Sequence, residues 1–410
     1  MTGRPAPPPS VLSVAWGFLR GDPKPGGDAD RQPADAILVV AILAFVAFGM
    51  VMVYSASAVE AARTTGSPFH FLVRQGVAAV IGLAGMGWLA RLPTWRLARV
   101  GWILYVAVTV GLLLVFVPGI GQEANGAVRW IGSGSLRVQP SEFMKVALIL
   151  VLAERVNRMA GGVADLKHTI VPLAAISLPP LVLVLAEPDF GTTVVLAGIV
   201  GLILVIGGAR LSWMAGLGSL GVVGAIAAIC SDEYRMRRVI AWIDPWKDEQ
   251  GGGYQVIQSW VALHRGGLDG QGLGIAMSKM KFLPYAHTDF VAAVVGEELG
   301  FLGLVFLMAL YALLIWRGVE VATRARTFHG TLLAGAVTVS LGMQTLFNLG
   351  VIMGLVPPKG LVLPFMSYGA SALVAHLWSM GILLSVSSEP REAEEPVPGA
   401  GGEQPALEAP

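Results

Sequence analysis

Acidic side chains stand at unexpected places in the apolar segment "LPYAHTDFVAAVVGEELGFLG", residues 283–303. Asp289 precedes the apolar run, and Glu297 and Glu298 lie within it. An ionisable group in a membrane span is costly, so each is by default a candidate for function. A carboxylate at a membrane–water boundary can act as a general base. Because Asp289 follows His-Thr and a glycine-dense loop, a helix cap alone does not explain its context, and we predict that it is catalytic.

Three more charged residues lie in or beside apolar segments. Glu142 and Lys145 are three residues apart, so they share one helix face and can form an ion pair. Asp189 precedes an apolar segment in "EPDFGTT", where it can cap a helix. Each has a structural interpretation, as ion pair or cap, and a functional one, in which the three charges form a coupled unit in a polar cavity. The residues alone leave both open.

Glu297 and Glu298 are interpreted as residues that hold helices together or couple to a partner. Gly296 and Gly300 form a small-xxx-small pair, which predicts close packing on a neighbouring helix. On a continuous helix from Asp289, Glu297 would lie about 12 Å deeper and about 80° around, and Glu298 would point away.

The composition places these residues in a membrane protein. Of the 410 residues, 55% are hydrophobic and 13% are charged, against about 25% charged in soluble domains. The 52 glycines and 25 prolines fit helices that pack closely and kink. The net charge of +1 argues against nucleic acid as a partner, and a single cysteine excludes an intrachain disulfide.

Apolar runs predict an all-α, polytopic membrane fold with about ten transmembrane helices. A long extracytoplasmic loop, residues 231–288, would separate the seventh and eighth helices. The membrane domain would span residues 35–388, between disordered cytoplasmic tails at 1–34 and 389–410. The predicted spans are 36–56, 71–90, 99–117, 142–156, 169–186, 190–208, 211–230, 289–316, 331–352 and 366–386.

Basic residues predict the orientation. With the N-terminus inside, the inner segments carry 15 Lys and Arg and the short outer loops carry 4, so both termini are predicted to be cytoplasmic. The polar motifs, with Arg129 and Lys359 among them, then lie at the outer ends of their helices. Together they predict one outward-opening polar cavity.

Nine motifs in order resemble the SEDS family, the FtsW/RodA cell-wall polymerases, and "PDFGT" and "PKG" before "LPF" resemble FtsW more than RodA. The motifs are "MVYSAS" (52–57), "NGAVRWI" (125–131), "QPSEFMK" (139–145), "PDFGTT" (188–193), "GYQVIQSW" (253–260), "GLDGQGLG" (267–274), "AHTDF" (286–290), "GEELGFLG" (296–303) and "PPKGLVLPFMSYGAS" (357–371).

The resemblance implies an enzyme of the bacterial inner membrane, a peptidoglycan glycosyltransferase that polymerises lipid II, an undecaprenyl diphosphate-linked disaccharide pentapeptide. It implies a class B penicillin-binding protein as transpeptidase partner, other division or elongation proteins, and a role in cell-wall synthesis, cell shape and septal division. Asp289 corresponds to the essential aspartate of the family, and a Mg²⁺ or Mn²⁺ ion could bind it together with the substrate diphosphate. The resemblance implies Glu142, Lys145 and Asp189 as further site residues, and they are predicted to bind substrate. We predict the same role for Arg129, Lys359, Ser367 and His287.

The sequence departs from the family pattern at four positions. Glu187 replaces a usual glutamine, Tyr285 a glutamate, Pro358 a threonine and Ala370 a glycine. None of these changes touches Asp289, so activity is still expected.

A transporter, such as a flippase for a lipid-linked precursor, is the alternative function. It would need a polar path to the cytoplasmic face, whereas the polar motifs cluster outside. A non-catalytic scaffold would not explain Asp289 in its context.

Overall fold

A computed structural model describes residues 32–124, 127–133, 136–159, 171–230, 233–276, 283, 286–358 and 360–389. The predicted tails lie outside these ranges, apart from the few residues next to the first and last helices. Helices occupy all ten segments in which spans were predicted. They are α1 (Ala36–Thr65), α2 (His70–Arg91), α3 (Thr94–Val115), α4 (Pro140–Asn157), α5 (Val171–Ala186), α6 (Phe190–Ile206), α7 (Leu211–Cys230), α10 (Val291–Thr323), α11 (Phe328–Ile352) and α12 (Ala370–Ser387).

Among the described residues, six helices are long and apolar enough to cross a membrane: α1, α2, α3, α10, α11 and α12. The helix α4 carries more charge and lies in the centre of the bundle, packed against α3, α6, α11 and α12. Its residues 146–153 are apolar and all buried, as expected for a helix that is hydrophobic all round. The full count of ten membrane crossings stays a prediction.

The connections contain elements that were not predicted. Residues 121–138 form a three-stranded antiparallel sheet of β1 (Gly121–Ala124), β2 (Ala127–Ser133) and β3 (Leu136–Val138). The sequence between β1 and β2 is Asn-Gly, the dipeptide that most favours a tight hairpin. The long loop contains two short helices, α8 (Glu233–Ile243) and α9 (Tyr254–Gly266), around a 3₁₀ turn. The all-α prediction is therefore confirmed for the bundle, and the small sheet between α3 and α4 is an addition to it.

The eighth predicted span differs from a regular helix. Asp289 lies in a turn over residues 286–290, and α10 begins only at Val291. Within α10 the backbone leaves the helical conformation at Gly300, with φ 69° and ψ −165°. Glycine has no Cβ and tolerates this positive φ. The predicted helical geometry between Asp289 and Glu297 is therefore wrong.

The polar motifs gather at one end of the bundle. There Arg129 meets the turn between α5 and α6, and Asn348 meets the turn before α10. At the opposite end, Asp35 forms an ion pair with Arg317, and the N–H of Gln32 donates to the carbonyl of Ser388 at 3.1 Å. Arg129 and Asn348 thus bring several of the predicted outer segments together, while the predicted polar cavity and the side of the membrane that it faces stay predictions.

Single cysteines should reveal that side. In a Cys230→Ser background, we expect Lys247→Cys, in the long loop, to react with a membrane-impermeant thiol reagent added outside intact cells. Phe328→Cys, at the start of α11, should react only after the cells are opened. Both positions are exposed, so a membrane-permeant reagent should label both. The reverse pattern would show that the orientation is inverted.

Candidate active site

The backbone around Asp289 is held by a buried side chain of α11. The Asn348 amide donates to the carbonyl of Asp289 at 2.8 Å and to the carbonyl of Leu361 at 2.7 Å. It thereby ties the turn before α10 to the segment that precedes α12. The first residue before α10 is Phe290, and no side chain caps this helix. The Asp289 carboxyl therefore has no capping role.

Asp189 combines both of the roles that the sequence left open. Its carboxylate caps α6, accepting from the N–H of Thr192 at 3.1 Å and from its hydroxyl at 2.9 Å. The same carboxylate lies 4.0 Å from the guanidinium of Arg129 on β2. Arg129 also donates to the carbonyls of Glu187 and Pro188, at 3.0 and 2.6 Å. The sheet that was not predicted thus positions a cation beside the turn between α5 and α6.

The charges of Asp189 and Arg129 also affect the pKa of Asp289. The pKa of the Asp289 carboxyl is raised to about 7, first by burial and then by the negative charge of Asp189, while the Arg129 guanidinium acts to lower it. A carboxyl with a pKa near neutrality is well matched to general base catalysis. The charges of Asp189 and Arg129 thus act on Asp289, which we treat together with them as the candidate site.

Glu142 and Lys145 form a buried ion pair of 2.7 Å on α4. The Lys145 ammonium also donates to Oε1 of Gln344 on α11 at 2.7 Å. His376 of α12 places Nε2 3.1 Å from the same oxygen. Because an amide oxygen only accepts, Nε2 is the protonated nitrogen of this histidine. The pair is thus one half of a four-residue network.

Asp189 lies outside this network, so its predicted coupling to Glu142 and Lys145 stays a prediction. Within the described part of the chain, no hydrogen bond or ion pair joins Lys145 to Asp189, which has Thr192 and Arg129 as partners instead. The sequence analysis missed Gln344 and His376. Both are polar side chains inside predicted spans, which is the signal that would have found them.

His287 and Ser367 lie in neighbouring turns. The His287 ring stacks on Phe71 with 5.2 Å between centroids, and burial lowers its pKa, so it is neutral at pH 7. Its carbonyl accepts from the N–H of Tyr368 at 2.8 Å. The Ser367 hydroxyl accepts from the N–H of Leu363 at 2.8 Å, which stabilises the turn. Substrate binding by either residue stays a prediction.

Lys359 lies outside the described residues. Its neighbour Gly360 passes close to the predicted base, since a Cβ built on Gly360 would lie 3.4 Å from Oδ2 of Asp289. The segment before α12 therefore forms a wall of the site.

A family model described as Cell cycle protein, which covers FtsW, RodA and SpoVE proteins, matches residues 35–392. The chain belongs to this FtsW/RodA/SpoVE family. A curated relative from Geobacter metallireducens, a probable peptidoglycan glycosyltransferase FtsW, is 40% identical over 86% of this chain and 94% of its own length.

Two solved structures of similar chains extend the match to the fold. One comes from a structure described as "Structural coordination of polymerization and crosslinking by a peptidoglycan synthase complex". Its chain is 32% identical to this one, with a TM-score of 0.72, and the match covers 88% of this chain and 99% of that one. The other is the rod shape determining protein RodA of Thermus thermophilus, 30% identical with a TM-score of 0.64, over 88% of this chain and 98% of that one. The FtsW/RodA fold of this chain is thereby confirmed.

In this family member, Glu298 links two helices. Both of its carboxylate oxygens lie 2.7 Å from the hydroxyl of Ser55 on α1. Glu297 is equally buried, with 1% of its surface exposed. The predicted helix-holding role of Glu298 thus has a structural partner, whereas a coupling to another protein stays a prediction.

The break at Gly300 is bridged by residues 266–272, here called the glycine clasp. A Cβ built on Gly296 would lie 2.5 Å from the side chain of Leu263 of α9. The predicted close approach at Gly296 is thus confirmed. The neighbour is formed by α9 and the clasp and is not another long helix. Four backbone hydrogen bonds of 2.9–3.2 Å join clasp and helix: Gln271 N–H to Glu297 O, Gly272 N–H to Glu298 O, Phe301 N–H to Gly267 O, and Leu302 N–H to Leu268 O.

Gly270→Ala is expected to open the clasp. Gly270 has φ +81°, and an added Cβ would lie 2.2 Å from the carbonyl oxygen of Glu298. We expect a loss of more than about 2 kcal/mol of stability, from backbone strain together with the clash. The measurement is the thermal unfolding midpoint of the purified protein.

Gly274→Ala is the matched control. Gly274 has φ +85° but no atom within 4 Å of an added Cβ, so only the backbone penalty of about 1–2 kcal/mol remains. Equal midpoints for the two variants would show that the clasp does not secure the helix.

Proposed function

We propose that the protein is a peptidoglycan glycosyltransferase that polymerises lipid II into glycan strands at the outer face of the bacterial cytoplasmic membrane. The observation that carries the proposal is that the Asp289 carboxyl, beside Gly360, lies at the same end of the bundle as the Asp189–Arg129 pair, where the predicted outer segments lie. The relative from Geobacter metallireducens, named as a probable enzyme of this class, supports it.

In the proposed reaction, Asp289 takes the proton of the acceptor sugar hydroxyl. The oxygen then forms a bond to the anomeric carbon of the donor sugar, and the bond from that carbon to the diphosphate breaks. The lipid diphosphate leaves with the electron pair. Arg129 and Lys359 are assigned to stabilise this negative charge, since Arg129 lies within the site and Lys359 adjoins Gly360 next to Asp289.

A divalent cation, Mg²⁺ or Mn²⁺, is part of the proposal. Among the described residues, no three His, Cys, Asp or Glu side chains come together as a metal site. Asp289 nevertheless fits such an ion when the substrate diphosphate supplies further oxygens, because Mg²⁺ commonly binds one or two carboxylates together with phosphates. When bound, the ion would neutralise charge on the departing diphosphate.

The proposed partner is a class B penicillin-binding protein that crosslinks the strands, within a division or elongation complex. The similarity to a chain from a peptidoglycan synthase complex supports this partner. Both termini are proposed to be cytoplasmic. The match to a relative named FtsW supports septal cell-wall synthesis in division over elongation.

A flippase for the lipid-linked precursor is the competing function. The central helix α4 argues against it, because residues 146–153, next along the helix after the Glu142–Lys145 pair, are buried and apolar and offer a headgroup no polar contact.

Vesicles that contain the purified protein and lipid II separate the two functions. Each glycosyl transfer releases one undecaprenyl diphosphate, whereas transport releases none. We expect undecaprenyl diphosphate to accumulate. Movement of lipid II across the bilayer without its release would favour the flippase.

A further inference from the structure

Glu187 is a buried acidic residue next to the site whose carboxyl group lacks hydrogen bonds within the described part of the chain. It lies between α5 and α6, and 1% of its surface is exposed. Among the residues that the structure describes, neither carboxyl oxygen has a hydrogen-bond partner. Arg129, the nearby cation, donates to the backbone carbonyl of Glu187 and not to its carboxyl. A carboxylate buried in this way would be strongly destabilised.

The charges around Glu187 favour its neutral form. Asp189 adds a negative charge two residues away, and its own carboxylate is occupied by Thr192. On α4, Glu142 and Lys145 neutralise each other. Burial, and then the charge of Asp189, raise the pKa of Glu187 to about 8, while Arg129 lowers it. At neutral pH the side chain is therefore a carboxylic acid.

We propose that Glu187 is a positioning residue that works as a neutral acid, and that its ionisation inactivates the site at alkaline pH. An ionised Glu187 would attract the Arg129 guanidinium away from the two carbonyls that it holds. It would also place a further negative charge beside Asp189 and Asp289, where a diphosphate must bind. The inactivation, but not the neutral state itself, rests on the proposed glycosyltransferase function.

The experiment compares wild type, Glu187→Gln and Glu123→Gln in complex with the transpeptidase partner between pH 6 and pH 10. Glu123→Gln is the control, since Glu123 is an exposed carboxylate on β1 at the same end. The two readouts are the initial rate of lipid II polymerisation and the thermal unfolding midpoint.

We expect wild type and Glu123→Gln to lose activity above pH 8, so that at pH 9 Glu187→Gln is about tenfold faster. The midpoint should move as well. A carboxyl whose pKa is raised on folding destabilises the fold progressively as pH rises from its ordinary value to about 8. The midpoint advantage of Glu187→Gln over wild type should therefore grow across this range.

Loss of activity in Glu187→Gln at pH 7 would overturn the proposal, because a neutral amide should replace a neutral positioning acid. Identical rate profiles and midpoints in wild type and Glu187→Gln would overturn it as well. The midpoint needs no polymerisation, so its pH-dependent difference distinguishes failure of the neutral-acid proposal from failure of the proposed function.

Discussion

Asp289→Asn is expected to abolish glycan polymerisation and to leave the protein folded. Asparagine has the same shape but cannot accept the proton of the acceptor hydroxyl, and a general base contributes about 10²- to 10⁴-fold to a rate. The fold should survive, because Asn348 holds the backbone carbonyl of Asp289 and not its carboxyl. The measurement is the polymerisation rate at matched amounts of folded protein.

Glu298→Gln is the control for this variant. It makes the same chemical change on the following helix, and an amide oxygen can still accept from Ser55. We expect a polymerisation rate within a few-fold of wild type and an effect mainly on stability. If Asp289→Asn kept a near-normal rate, Asp289 would not be the base, and transport or a scaffold role would have to be reconsidered.

Lys145→Ala is expected to destabilise the protein strongly and to reduce activity. It removes the cation from a pair in which both side chains are about 95% buried, and so leaves Glu142 uncompensated. Breaking a buried ion pair from one side costs about 3–5 kcal/mol. The variant also removes one of the two donors to Oε1 of Gln344, and His376 remains as the other. Thermal unfolding of the purified protein measures the loss.

Two further variants test the reason for that loss. Glu142→Gln combined with Lys145→Met removes both charges and should restore stability more than activity. Lys247→Ala breaks a pair of the same three-residue spacing, with Asp244, that is solvent-exposed, and should cost less than about 1 kcal/mol. Equal stability of Lys145→Ala and wild type would refute the buried network.

The sequence analysis located the helices because the bilayer imposes a simple rule. A segment that crosses it needs about 20 apolar residues, and all ten such segments are helical. The same rule hid the break in α10, since the apolar run continues directly after Gly300. The break depends on hydrogen bonds from the glycine clasp, which arrives from a distant part of the chain. No local pattern encodes that partner.

The candidate site was predicted residue by residue but not as an arrangement. Asp189 and Asp289 were identified because each stands directly before a predicted transmembrane segment. The placement of Arg129 beside them depends on a small sheet whose Asn-Gly signal was read only as part of a motif. Gln344 of α11, the distant partner of Lys145, lies nearly 200 residues further along the chain, and His376 of α12 contacts Gln344 in turn. Such pairings follow from packing, which composition and spacing do not specify.

The most direct test of the account is the conversion of lipid II by the purified protein with its transpeptidase partner in detergent. A micelle has no second compartment, so transport gives no product there, and the crosslinking activity can be blocked with penicillin. The account predicts a ladder of glycan strands on a gel, which requires the Asp289 carboxylate. Unchanged lipid II after incubation with a folded, fully assembled complex would contradict it.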